Sequence, residues 1–246
     1  MAFAATTTSR TAFAGARVAV ATRSAKASRA QVVVNAERKL WLPGSAPPSH
    51  LTGSLPGDFG FDPLGLGKDP AALAYYVEAE LVHCRFAMAG VAGILIPSLL
   101  THVGALNVPV WYEAGEVAIK SSTIGFGTLL MTQLLLMGWV ETKRIMDFKN
   151  PGSQAEAGSF LGLEGAFKGT TPGYPGGPFD PMGMSKGNMD ELKLKEIKNG
   201  RLAMVAMLGF FAEAGLGKDP VDALSEHVAS PWTANFTTNG VSIPGL

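Results

Sequence analysis

The sequence predicts an all-α membrane protein with three transmembrane helices, the first and third crossed and related by a pseudo-two-fold axis. Three observations lead there. Charged residues make up only 16% of the chain, against about 25% in an ordinary soluble domain. Long apolar stretches alternate with Gly/Pro-rich connections, and one composite motif occurs twice, on the first and third of those stretches. The 20 basic and 20 acidic side chains cancel, so the chain lacks the basic footprint that phosphate recognition needs, and nucleic acid is excluded as a partner. Cys84 is the single cysteine, which excludes an intrachain disulfide framework and a Cys-cluster zinc site.

Residues 1–36 contain no Asp or Glu, while Arg10, Arg17, Arg23, Lys26 and Arg29 sit among Ala, Ser and Thr. That is the composition of an organelle transit peptide, with cleavage expected near Asn35–Glu37 and the working domain over residues 37–246. A Gly/Pro loop fills residues 42–70. Asp69-Pro70 then reads as an N-cap followed by Pro at the first helical position. Residues 71–100 form the first span; roughly 30 residues at 1.5 Å each reach about 45 Å, more than the hydrocarbon thickness, so the helix must tilt or protrude. Residues 97–120 read as a loop. The second span covers residues 124–140, with no charge before Glu141. The third runs over residues 189–214; its apolar part, 202–212, is too short to span alone, so protein must accommodate its charged first turns. Residues 220–228 place Val221, Leu224 and Val228 on one interfacial face. The connection between spans two and three carries Lys143, Arg144, Lys149, Lys168, Lys186, Lys193 and Lys195, whereas 97–120 carries only Lys120. By the positive-inside rule the former connection shares its side with the N-terminus.

The repeat reads Phe61-Asp62-Pro63-Leu64-Gly65-Leu66, then Glu80-Leu81-Val82-His83-Cys84-Arg85-Phe86-Ala87-Met88. The second copy reads Phe179-Asp180-Pro181-Met182-Gly183-Met184, then Glu196-Ile197-Lys198-Asn199-Gly200-Arg201-Leu202-Ala203-Met204. Both copies cross in the same direction, so their symmetry axis runs along the membrane normal. A charge at mid-membrane costs about 2.5–3.5 kcal/mol on insertion scales and needs a partner. Five residues along a helix turn roughly 140° past a full circle, so Glu80 and Arg85 face apart. Glu80 is therefore expected to pair with Arg201, and Glu196 with Arg85, across the crossing. Such contacts attract by about 4 kcal/mol each at an effective dielectric near 20, before desolvation. Ala87, Ala89, Gly90, Ala92 and Gly93 facing Ala203, Ala206 and Gly209 permit the close approach.

Glu80 with His83, and Glu196 with Asn199, repeat a pair of oxygen or nitrogen donors three residues apart on an apolar surface. No nucleophile in a wet cleft accompanies them, so the chain is not read as an enzyme. One protein donor per site, repeated along apolar helices, suits a flat metal macrocycle whose ring supplies the other four ligands. Carboxylate, amide and imidazole favour magnesium over haem iron, and an Arg-paired Glu can ligate without leaving net charge in lipid.

With GDFGFDPLGL and YPGGPFDPMGM ahead of them, these motifs resemble those of the chlorophyll a/b-binding light-harvesting antennae of plants and green algae, over residues 55–236. The resemblance implies three transmembrane helices and a short lumenal amphipathic helix. It implies chlorophyll a and chlorophyll b held through magnesium by Glu80, His83, Glu196 and Asn199, with Arg85 and Arg201 as ion-pair partners. Glu141 and Arg144 match the family's E-x-x-R, with Glu141 a ligand. Glu213 stands where many members have Gln, and His227 matches a further ligand; His50 and His102 match no motif and are expected to be solvated in loops. Phe61-Asp62 and Phe179-Asp180 resemble contacts to carotenoid ends (lutein and other xanthophylls, with beta-carotene as a further candidate), although Asp-Pro-x-Gly also makes a turn by itself. Residues 160–169, FLGLEGAFKG, after Asn150-Pro151-Gly152-Ser153, are closer to photosystem I antennae than to photosystem II ones. His83, where low-energy photosystem I antennae tend to have Asn, resembles the less red-shifted type. Implied partners are the photosystem I core, neighbouring antenna subunits and thylakoid lipids. The implied location is the chloroplast thylakoid membrane with a stromal N-terminus. Two other readings compete: a photoprotective relative that dissipates energy, and a small proton-coupled membrane carrier using its intramembrane Glu residues.

Overall fold

The computed structural model describes residues 39–239, apart from 163, 170 and the Pro178 side chain; the expected leader lies outside the described residues. Five α-helices are present there: α1 Pro70–His102, α2 Trp111–Ser121, α3 Phe126–Lys149, α4 Met189–Gly215 and α5 Pro220–Ala229. Among the described residues the rest is short 3-10 turns, loops and one isolated bridge between Thr171 and Tyr174.

α1 starts as its sequence dictates. The Asp69 carboxylate accepts from the Ala71 and Ala72 amides, and Pro70, which has no N–H to satisfy, opens the helix. The helix runs through Pro97 to His102, two residues past the expected end. The Thr101 hydroxyl donates to the Pro97 carbonyl at 2.9 Å. It is long and apolar enough to cross a membrane by itself. α2 and α3 are bent by 115° and α4 and α5 by 84°, and each of these pairs reaches the length and apolarity of a span only when taken together.

The expected loop at 97–120 is corrected: it holds the last turns of α1 and all but the final residue of α2. Trp111 and Ala114, three apart, face inward, and Glu116 pairs with Lys120 one turn on at 2.5 Å. Such an amphipathic helix of 11 residues is too short to register as a span. α3 likewise continues past Val140 to Lys149, because Glu141 and Arg144 neutralise each other within it.

α1 and α4 make the main packing contact. Its buried centre is Leu81, Cys84 and Ile197, with Met88, Met204 and Tyr174 against it. Cys84 and Gly200 hold equivalent places in the two repeats and meet at the crossing: a Cβ added to Gly200 would lie 2.3 Å from the Cys84 Cβ. The loops repeat too. The Asp62 carboxylate accepts from the Leu66 and Gly67 amides, and that of Asp180 from the Met184 and Ser185 amides. Gly65 and Gly183 follow in left-handed conformations, φ 67° and 65°, which side-chain-bearing residues avoid. Asp62 also takes the His50 imidazole at 2.7 Å, whereas Asp180 takes the Ser185 hydroxyl at 2.5 Å. One distant histidine thus does for the first turn what a local serine does for the second. The Gly67 amide, with His50, holds the Asp62 carboxyl below the usual carboxylate range, and the Ser185 hydroxyl and amide do the same for Asp180.

Among the described residues only eight hydrophobic side chains are buried, while Phe86, Leu129, Leu135, Leu202, Val205, Leu208 and many other large apolar side chains are exposed. α3 buries none.

Candidate functional site

The expected charge crossing is present. The Arg85 Nε donates to the Glu196 Oε1 at 2.7 Å, and the Arg201 Nε to the Glu80 Oε1 at 2.7 Å. Equivalent atoms at equal distances express the pseudo-two-fold relation directly. Arg201 is further fixed by its Nη1, which donates to the Gly57 carbonyl at 2.7 Å. Tyr174 lies against the second pair. The Arg85 guanidinium sits 5.3 Å and the Lys193 ammonium 4.7 Å from its ring centre, a cation–π arrangement. Burial first, then the Glu196 carboxylate, pushes the Tyr174 phenol up to about 12.

The neighbouring donors are aimed by their own helices. The His83 Nδ1 lies 2.7 Å from the Ala79 carbonyl; a carbonyl only accepts, so the proton sits on Nδ1 and the Nε2 lone pair is left outward. The Asn199 Nδ2 donates to the Lys195 carbonyl at 2.9 Å, which turns Oδ1 outward in the same way. Both side chains are exposed. The His227 Nδ1 is likewise held by the Ala234 carbonyl at 2.7 Å. His227 and Glu213 share a cavity of about 930 Å³ between the end of α4, α5 and the segment after it, with Leu216, Leu224 and Phe236 in its walls. Among the described residues the Glu213 Oε2 is buried there without a hydrogen-bond partner, an arrangement that costs free energy unless something else fills its coordination.

Glu141 pairs with Arg144 on α3 as expected: Nε and Nη2 both donate to Oε2, at 3.0 and 2.5 Å. Sequence reasoning missed the third member, Glu78. Its carboxylate is buried and accepts from the Arg144 Nη1 at 2.9 Å. Two other expectations are corrected. His50 is not solvated but part-buried against Asp62, and His102 is not in a loop but in the last turn of α1, 2.6 Å from the Asp222 carboxylate. The Ser98 hydroxyl donates to Asp219 beside it, so α5 is docked on the end of α1 by two polar contacts that no local pattern announces. Phe61 and Phe179 are 62% and 66% exposed, on turns already satisfied by the aspartates.

Among the described residues no three His, Cys, Asp or Glu converge as a metal-ion cluster. The donor set is instead one lone pair at a time, each on an apolar surface, with Arg-neutralised carboxylates. That suits macrocycles that carry their own equatorial ligands, and the orphaned Glu213 oxygen fits the same demand.

Residues 47–215 match the family model described as Chlorophyll A-B binding protein. Photosystem I chlorophyll a/b-binding protein 5 of Arabidopsis thaliana is 58% identical over 204 residues, covering 81% of this chain and 79% of its own. Chlorophyll a-b binding protein 7 of Solanum lycopersicum is 49% identical, with 83% and 76% covered. Photosystem I chlorophyll a/b-binding protein 6 of Arabidopsis thaliana is 44% identical, with 81% and 74% covered. All three are described as chloroplastic.

Proposed function

The chain belongs to the chlorophyll a/b-binding family, and from that footing we propose that it serves photosystem I as a three-span thylakoid antenna. It is a light-harvesting antenna apoprotein and not an enzyme. The observation that carries the reading is the distribution of apolar side chains. A chain of this length that buries so few of them is not stabilised by its own interior, and the exposed residues flank outward lone pairs. Pigments resting on those surfaces supply the missing contacts as well as the function.

The pigments absorb light and pass excitation among themselves. The protein's residues do the rest. The two crossed ion pairs fix the register of α1 on α4. Glu80, Glu196 and Glu141, each held by an arginine, offer magnesium an oxygen without an uncompensated charge in lipid. His83, Asn199 and His227 offer a lone pair whose direction is set by a bond to a backbone carbonyl, and Glu213 offers its orphaned oxygen. Phe61-Asp62 and Phe179-Asp180 would hold xanthophyll ends beside the crossing.

In this reading α1, α3 and α4 span the thylakoid, and α2 and α5 lie along its lumenal face. Both belong to the end where α1 terminates, and both are amphipathic. The lysine-bearing α3–α4 connection then faces the stroma with the N-terminus. Photosystem I and neighbouring antenna subunits as partners are supported by the descriptions of the relatives and by residues 160–169. Glu141, Glu213 and His227 add sites beyond the central four and favour a full antenna over a sparsely pigmented dissipative relative. A proton-coupled carrier would need broken helices at its carboxylates, whereas α1 and α4 are continuous there.

The test is pigment extraction and absorption spectroscopy of the purified complex, with His83→Leu reconstituted beside it. The expected result is chlorophyll a, chlorophyll b and xanthophylls in the native complex, and one chlorophyll fewer in the variant with the others retained. A colourless native protein, or unchanged stoichiometry in His83→Leu, contradicts the reading.

A further inference from the structure

We infer that Glu78 is the positioning residue for the chlorophyll site at Glu141, keeping one carboxylate oxygen of that ligand open; the inference rests on the antenna reading above. An arginine beside a carboxylate ordinarily lays its planar fork across both oxygens. Arg144 does not. Its Nε and Nη2 both fall on the Glu141 Oε2, and its Nη1 is drawn away to the Glu78 Oε1, 2.9 Å off on α1. Among the described residues no bond falls on the Glu141 Oε1, which leaves that atom for magnesium.

The geometry follows from burial. The Glu78 side chain is only 10% exposed, against 33% for Arg144 and 34% for Glu141, so it is the fixed member and the other two adjust to it. The Gly173 backbone lies close behind it, so that a Cβ added there would come within 2.9 Å of Oε2. With Glu78 removed, Arg144 is three residues from Glu141 on the same helix and is free to rotate its fork onto both oxygens. Oε1 would then share its lone pairs with the arginine, as the Glu80 Oε2 does with the Arg201 Nη2 at 3.4 Å, and would hold magnesium more weakly. Glu78 acts through the arginine.

Two variants separate position from charge. Glu78→Gln keeps the reach and the acceptor but loses the charge; Glu78→Asp keeps the charge but is one methylene short of Nη1. The full chain is reconstituted with thylakoid pigments, and chlorophylls per polypeptide and absorption difference spectra are recorded, with Glu141→Ala as reference. The expected result is that Glu78→Gln retains the full complement. Glu78→Asp should lose at least half the occupancy of one chlorophyll, with the difference band seen in Glu141→Ala. Adding Glu78→Asp to Glu141→Ala should remove nothing more. The inference is overturned if Glu78→Asp keeps every pigment while Glu141→Ala loses one, if Glu78→Gln loses as much as Glu78→Asp, or if the band lost is a different one. Full pigmentation of Glu141→Ala would overturn the ligand assignment itself and the inference with it.

Discussion

Gly200→Ala is the sharpest single perturbation of the helix crossing. The new Cβ would stand 2.3 Å from the Cys84 Cβ, 2.4 Å from its Sγ and 3.1 Å from its Cα. Rotating the Cys84 side chain moves only the sulfur, so Cβ and Cα remain in the way. Ordinary carbon contacts lie at about 3.5–4.0 Å, so the helices must separate by roughly 1 Å or more. A separation of that size takes the two 2.7 Å ion-pair bonds out of good hydrogen-bonding range. Overpacking of this kind costs about 1–3 kcal/mol, or roughly 5- to 150-fold in the assembly equilibrium. The partly exposed ion pairs add less than their Coulomb energy suggests. The assay is thermal dissociation of the reconstituted complex, followed by loss of chlorophyll b to chlorophyll a energy transfer. Pseudo-symmetry supplies the control, because Cys84→Gly combined with Gly200→Ala places the side chain on the other helix and should restore most of the loss. A wild-type midpoint for Gly200→Ala, or a double variant no better than the single, would refute the packing account.

Acid acts on the two Asp-Pro turns in a definite direction. The Asp62 and Asp180 carboxyls are held below their ordinary range, so the stability they lend is complete above that range and is lost as pH falls through the depressed values. Amide exchange at Gly67 and Ser185, corrected for its intrinsic pH dependence, should therefore stay slow from pH 7 to 5 and quicken only below about pH 4; quickening between 7 and 5 would contradict this. Asp219→Ala removes both the cap on the Val221 amide and the acceptor for Ser98. About 1 kcal/mol of cap energy goes with it, and cleavage by protease around residues 216–219 should accelerate; an unchanged cleavage rate would show that α5 does not depend on this docking.

Much of this was readable because symmetry doubled the signal. The five-residue offset from Glu80 to Arg85 forces each charge across the crossing, and a second copy at Glu196 and Arg201 supplies the only arrangement that neutralises both. The start of α1 was legible because Asp69-Pro70 is a local chemical instruction. α2 was not, since 11 residues with one inward face carry too little apolar length to stand out beside a span. His50, His102 and Glu78 were misread or overlooked for a common reason. Their partners Asp62, Asp222 and Arg144 lie 12, 120 and 66 residues away in sequence, and no periodicity encodes a contact made only after the chain has folded. A charge count offered one hint: Glu78 sits in a helix poor in cations.

Among the described residues, the side-chain contacts that tether α3 lie toward one end. Trp139 meets the Phe160 ring at 5.3 Å, which continues through Phe167 to Phe179; Lys143 reaches the Ser159 carbonyl and Arg144 reaches Glu78. From Phe126 to Leu136 every side chain is exposed. α3 is a cantilever, anchored near Trp139 and overhanging by about 20 Å at 1.5 Å per residue. A tilt of about 3° at the anchor swings its tip by roughly 1 Å. In the proposed antenna, whatever rests against the tip would set the spacing of pigments along the rod, so occupancy at that end would be a lever on how fast excitation moves past α3.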